Sequence, residues 1–215
     1  MTIEEQRIVA ATLMRELGHE FVGRIVDDEQ LQRLNTDIAA LLEVVRDAPV
    51  RVRELSRDRL EEFALTIPTK DESGERQLFA DSVVTGAANP MGIAAQLWRD
   101  GDAIYMQVTL DKAFEGAPGR AHGGIVAAIL DEVMGSVNAL DGALAYTAQL
   151  DISYHAPTPV GEPILARAWL DRHDDRKRYV EATLFADDLL VASAKGLFIT
   201  IDRSVFLDQL LSPED

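Results

Sequence analysis

Residues 122–139 read as one long apolar helix, and four strand-like runs follow it with no helical segment between them. Those runs are AYTAQLDISYHA, PILARAWLDRH, RYVEATLFAD and LLVASAKGLFITI. Strands joined without crossover helices form antiparallel pairs, and an antiparallel sheet must cover its apolar face. One central helix is enough to do so. Upstream, IAAQLWRDGDAIYMQVTL reads as two further strands joined at Asp100-Gly101, a good tight-turn pair. In the run after the helix, Leu150, Ile152 and Tyr154 alternate with polar residues, as expected for a strand with one buried face. The expected class is α+β, with an antiparallel sheet wrapped around one long central helix.

The rest of the chain divides around that unit. Residues 1–63 read as a helical extension. Ile8, Val9, Leu13 and Leu17 fall on one helical stripe. Leu31, Leu34, Ile38, Leu41, Leu42 and Val45 form a second, after acidic Asp27-Asp28-Glu29 and before Pro49. Val52, Leu55, Leu60 and Phe63 suggest a third helix. The extension is expected to cover part of the main domain or its partner. Residues 64–90, with Pro68, Gly74, Gly86 and Pro90, read as a linker with little regular structure. Residues 91–203 form the main domain, and 204–215 a tail with a short helix at SVFLDQLLS.

Composition excludes several classes. The 215 residues carry a net charge of −16, which repels nucleic acid and anionic membranes, so neither is an expected partner. There is no cysteine, and no His/Asp/Glu group has metal-ligand spacing, so no metal site is expected. The N-terminus, MTIEEQRIVAATLMRELGHE, is acidic and lacks the form of a signal peptide. With no run of about 18 consecutive apolar residues, the expected location is the cytoplasm. No G-x-S-x-G motif points to a serine hydrolase.

The helix itself carries the chemistry. It opens on His122-Gly123-Gly124 and holds an acid, Asp131, at its centre, where an unpaired carboxylate would be costly. Val126, Ile129, Val133 and Val137 form the stripe that should enter the sheet. Asp131 lies on a different face, with Ala127, Ala128, Gly135 and Asn138, and its neighbour Glu132 reads as a solvated helix acid.

GAPGRAHGGIVAAILDEVMG, YTAQLDISYHAPTPVG and AKGLFITID together resemble the hotdog fold and, within it, the PaaI-type acyl-CoA thioesterases, over residues 90–202. The spacing H-G-G-x6-D is kept, and Thr147 stands sixteen residues after Asp131. That pair of features is more similar to the thioesterase-superfamily-member branch than to the hydroxybenzoyl-CoA enzymes, which use Glu on the helix. The resemblance implies hydrolysis of an acyl-CoA to a free acid and coenzyme A without a cofactor. It also implies a homodimer or homotetramer.

Thioester hydrolysis develops negative charge on the carbonyl oxygen. The Gly123 amide at the helix head would stabilise it as an oxyanion donor, and the missing Cβ lets substrate approach. His122 would shape or orient that end. Asp131 would act as general base on water or attack directly to give an anhydride. The Thr147 hydroxyl would hold either the water or the Asp131 carboxylate. Asp131 lies about 13 Å along the axis from His122 at 1.5 Å per residue. One helix therefore cannot offer both groups to one thioester. Antiparallel helices from two subunits would set Gly123 of one against Asp131 of the other, giving two equivalent sites.

Weaker candidates complete the reading. Gly124 and the hairpin cations Arg172, Arg176, Lys177 and Arg178 are candidates for substrate contact, the cations through coenzyme A phosphates. The same hairpin also fits an ordinary solvated turn. His155 reads as surface. Many related enzymes carry Asn or Gln six residues before the His, where this chain has Gly116. Two alternative functions are a non-catalytic acyl-CoA-binding hotdog module and a hotdog hydratase or dehydratase.

Overall fold

A computed structural model describes residues 1–51, 67–72 and 80–202. The suggested third helix over Val52–Phe63 and the C-terminal helix lie outside the described residues. Among the described residues, two helices, α1 (Ile3–Gly23) and α2 (Asp28–Arg46), precede six strands and one central helix. The strands are β1 (Gln96–Asp100), β2 (Ala103–Thr109), β3 (Ala145–Tyr154), β4 (Pro163–Asp174), β5 (Lys177–Ala186) and β6 (Leu189–Thr200). The central helix, α3 (Gly123–Val137), runs on into a 3-10 turn, Asn138–Asp141. All strand pairs are antiparallel, in the order β1-β2-β4-β5-β6-β3. The first strand is shorter than the sequence suggests, because residues 93–95 bond back to Val83 and Val84 instead.

The sheet curls around α3. Val126, Ile129, Leu130, Val133, Met134 and Val137 are buried against it. Many of the facing residues are small: Ala166, Ala168, Ala182, Ala192 and Ala194 are all buried. Small side chains let a helix settle close to the pleat, while Ile104, Met106, Leu184 and Phe198 fill the flanks. Gly196 takes this furthest, since a Cβ there would lie 2.7 Å from Met134 Cε and from Phe198 Cε2. Residues Gly123–Asp141 are long and apolar enough to cross a bilayer by length and composition, but here the sheet wraps that face.

Two expectations need correction. Arg178 is not a surface cation of the hairpin. It is 7% exposed, and its Nε donates to Asn138 Oδ1 at 2.7 Å while Nη2 meets Asp141 at 2.9 Å. Nor is Asn138 simply one of the small residues on the Asp131 face: it is buried as the Arg178 acceptor. A buried guanidinium requires such partners, and the last turn of α3 supplies them.

The N-terminal helices also pack differently from expectation. Asp27 and Gln30 form a capping box at the head of α2, as Thr2 and Glu5 do for α1. However, α1 docks through Ala11, Arg15, His19 and Gly23, with Ile8 half-buried on the same face, while Val9, Leu13 and Leu17 are exposed; Leu13 is 60% exposed. The hydrogen bonds it makes there are to loop backbone, which asks for donors and acceptors, and His19 adds an edge contact with the Phe114 ring. The apolar stripe of α2 is largely exposed among the described residues.

The described residues of the segment read as a linker are irregular but integrated. Val84 and Ala88 are buried, as are Ile93 and Ala95 just beyond it. Gly86 is held so closely that a Cβ would lie 2.3 Å from Ser82 N. Farther upstream, the Arg99 amide donates to Pro68 O at 2.8 Å, covering the edge of β1.

Arg178→Met should cost about 3 kcal/mol by urea denaturation, because it strands the buried Asn138 oxygen. The double variant Asn138→Leu/Arg178→Met should recover part of that loss.

Candidate active site

Asp131 and Thr147 meet. The Thr147 hydroxyl donates to Asp131 Oδ1 at 2.9 Å. Strand periodicity alone would not bring this about. Leu150, Ile152 and Tyr154 face α3, and a period of two would turn residue 147 to the opposite side. A bulge between Thr147 and Gln149 absorbs one residue. Thr147 therefore pairs with the inward-facing Phe198, as Leu150 pairs with Gly196 and Ile152 with Ala194. The extra residue re-aims the hydroxyl at the carboxylate.

At the head of α3, His122 is the N-cap. Its Nδ1 accepts from the Gly124 amide at 3.0 Å, which places its proton on Nε2 when the ring is neutral. Gly124 therefore has no free donor, so its expected substrate contact cannot run through that amide. The Gly123 amide has no partner among the described residues. Helix geometry thus leaves Gly123, at the first position, as the open donor. Gly116 packs beneath: a Cβ on it would lie 2.9 Å from His122 Cα. The place where related enzymes carry Asn or Gln has no room for a side chain here.

Two contributors escape a sequence reading. Tyr154, at the end of β3, donates its hydroxyl to Gly123 O at 2.9 Å and brackets the donor glycine from the sheet side. Its alternation with Leu150 and Ile152 was the available signal. Glu132 is not a solvated acid. It accepts from Thr85 Oγ1 at 3.1 Å and Ser82 Oγ at 3.5 Å, joining α3 to the loop before β1. Burial, foremost, pushes its carboxyl above the ordinary 4.5; the Thr85 bond opposes this and the Asp131 charge adds to it. No sequence pattern announces a loop contact at that distance along the chain.

The hairpin cations divide. Arg172 stacks on the Tyr179 ring at 3.8 Å and pairs with Asp171 at 2.8 Å. Arg176 donates through Nε to Thr200 O at 3.0 Å, and Lys177 is exposed. Through Arg178 the hairpin sits at the tail of α3. Gly123 lies fifteen positions away, about 22 Å along the axis. Within one chain the hairpin and the helix-head donor are therefore separate. His155 is a surface residue bonded to Ser193 at 2.8 Å. No group of His, Asp and Glu suited to a metal ion occurs among the described residues.

A six-stranded antiparallel sheet wrapped on one helix, with a capped Gly-Gly head and a central carboxylate, is the hotdog class of fold. Residues 118–193 match the family model of the thioesterase superfamily, and this segment is a hotdog thioesterase-superfamily domain. Acyl-coenzyme A thioesterase THEM4 of Mus musculus is 34% identical over 90 residues, covering 41% of this chain and 39% of that protein. Acyl-coenzyme A thioesterase THEM5 of Homo sapiens is 32% identical over 89 residues, covering 40% of this chain and 36% of that protein. The chain thus spans well under half the length of these relatives. A thioesterase superfamily protein of known crystal structure aligns with a TM-score of 0.75 at 25% identity, covering 90% of each chain. That likeness takes in the N-terminal extension as well as the hotdog domain.

Glu132→Gln tests the buried carboxyl. A raised folded value means that the wild type loses stability as pH rises from the unfolded value near 4.5 through the folded one. The Gln variant keeps an acceptor and has no charge to bury. Its melting temperature relative to wild type should therefore climb across that interval and level off above it.

Proposed function

We propose that this chain is an acyl-CoA thioesterase, hydrolysing an acyl-CoA to a free acid and coenzyme A without a metal or other cofactor. The observation that carries the reading is the Thr147–Asp131 hydrogen bond, on the same helix as a Gly123 amide that has no partner among the described residues. The family match and the activity named for the mammalian relatives support it. In this mechanism Thr147 orients the Asp131 carboxylate, which takes a proton from water as the water attacks the thioester carbonyl. The Gly123 amide, backed by the helix dipole, receives the developing oxyanion. His122 acts by fixing the helix head through its bond to Gly124, with Nε2 left for substrate.

We further propose that the site is shared by two subunits. Asp131 lies eight positions beyond Gly123, about 12 Å of helix, which no single thioester spans. The β3 edge supports the same arrangement: ten residues long, it lacks a strand partner on one side among the described residues. Pairing two copies there would bring antiparallel α3 helices together. The cations available for coenzyme A phosphates would then be Arg172, Arg176 and Lys177 of the other subunit, with Arg178 retained in the fold. A cytoplasmic setting suits this substrate.

A panel of acyl-CoAs assayed with a thiol reagent tests the chemistry. Asp131→Asn should lower kcat by about 100-fold or more, and Thr147→Val by about tenfold, with the oligomer intact by light scattering. Unchanged turnover in Asp131→Asn would refute the mechanism. Subunit mixing tests the shared site. Gly123→Pro removes the amide at a helix position that tolerates proline. Equal co-refolding of inactive Gly123→Pro and Asp131→Asn chains should restore about a quarter of wild-type activity, because half the dimers carry one intact site. A site contained in one chain would show no recovery.

A further inference from the structure

We propose that α1 is a two-pronged strap that positions both halves of the catalytic machinery, with Arg15 and His19 as its positioning residues. They stand one turn apart and face the same way. The Arg15 guanidinium donates through Nη1 to Ala87 O at 2.9 Å and Asn89 O at 2.7 Å. Thr12 accepts from its Nη2 at 3.0 Å, which fixes the fork. The loop so gripped is the one whose Ser82 and Thr85 hydroxyls hold Glu132, the neighbour of Asp131 on α3. The first prong therefore ends one residue from the carboxylate.

The second prong ends at the oxyanion donor. His19 Nδ1 accepts from the Ala113 amide at 3.3 Å, and its ring meets the edge of Phe114 with centroids 5.1 Å apart. The Phe114 carbonyl in turn accepts from the His122 amide at 2.9 Å, and His122 caps the helix that presents Gly123. Gly23 extends the same stripe, where a Cβ would lie 3.4 Å from Lys112 Cγ. The two gripped loops are far apart in sequence, and both lead onto α3. A helix that bonds to both sets the carboxylate support and the donor support in one frame. Such a frame acts on turnover more than on substrate affinity, because small displacements of reacting groups raise the barrier steeply.

The catalytic half of this inference rests on the thioesterase reading; the mechanical half does not. The test uses the full chain with four variants. Arg15→Met removes the donors and keeps the stem, and Arg15→Lys restores donors. His19→Leu removes the acceptor, and His19→Asn restores one at the Nδ1 position. Hydrogen–deuterium exchange should rise over residues 80–95 in Arg15→Met and over 112–124 in His19→Leu, while β5 and β6 stay protected. The same two variants should lose about tenfold in kcat with KM within about twofold, and Lys and Asn should restore most of it. Unchanged exchange in both loops would overturn the strap, as would Lys and Asn variants no better than Met and Leu. Raised exchange with wild-type kcat would overturn the positioning role. Were the wild type to release no thiol from any acyl-CoA, the thioesterase reading would fail and exchange alone would decide the strap.

Discussion

One extra residue in β3 holds the site together. Without the bulge at Thr147/Gln149, the hydroxyl of residue 147 would face away from α3, and Asp131 would lose its partner from the sheet. The bulge sits where the inner face of the sheet changes character. Beyond it β3 contributes Leu150, Ile152 and Tyr154 to the helix, and before it a hydroxyl to a carboxylate. Tyr154 closes the sequence by bonding to Gly123 at the far end of the same face. A single edge strand thus touches both chemical groups of α3, and its register fixes their relation.

Two adjacent acids on an otherwise apolar helix have opposite environments. Asp131 points to the edge strand and meets one hydroxyl at 2.9 Å. Glu132, turned about 100° around the axis, is enclosed by the loop before β1, and burial raises its carboxyl. Each acid thereby ties α3 to a different neighbour. Polar contact recurs at the helix tail, where Asn138 and Arg178 form a buried pair. Polar groups on α3 consistently fix what the apolar stripe only covers.

The architecture was legible because periodicity and order survive in the sequence: one helix over 122–139, six strands, and a tight turn at Gly101. Asp131, Thr147 and Gly123 were legible from motif spacing, and the structure brings the first two into contact. What stayed hidden has a common cause, since periodicity reports faces and not partners. It places Thr147 out of phase because a bulge leaves no trace in composition. It reads Arg178 as a hairpin cation because the Asn138 and Asp141 acceptors lie on another element. It reads Glu132 as solvated because Ser82 and Thr85 belong to a segment that looks like a linker. It also picks the wrong stripe of α1, because that helix docks on loop backbone, where Arg15 and His19 are worth more than Leu13 and Leu17.

The proposed shared site would account for two features of the single chain at once. Its donor and its carboxylate stand about 12 Å apart on one axis, too far for a shared carbonyl carbon. Its β3 edge offers ten residues of backbone without a second strand among those described. A two-fold axis through the middle of that edge would pair β3 with itself and set α3 antiparallel to its copy. Antiparallel placement exchanges helix head for helix centre, so each Gly123 would meet an Asp131 it lacks on its own helix. The strand edge, the mid-helix acid and the bulge that serves it then have a single geometric origin. A monomer with a fully paired sheet would need none of the three.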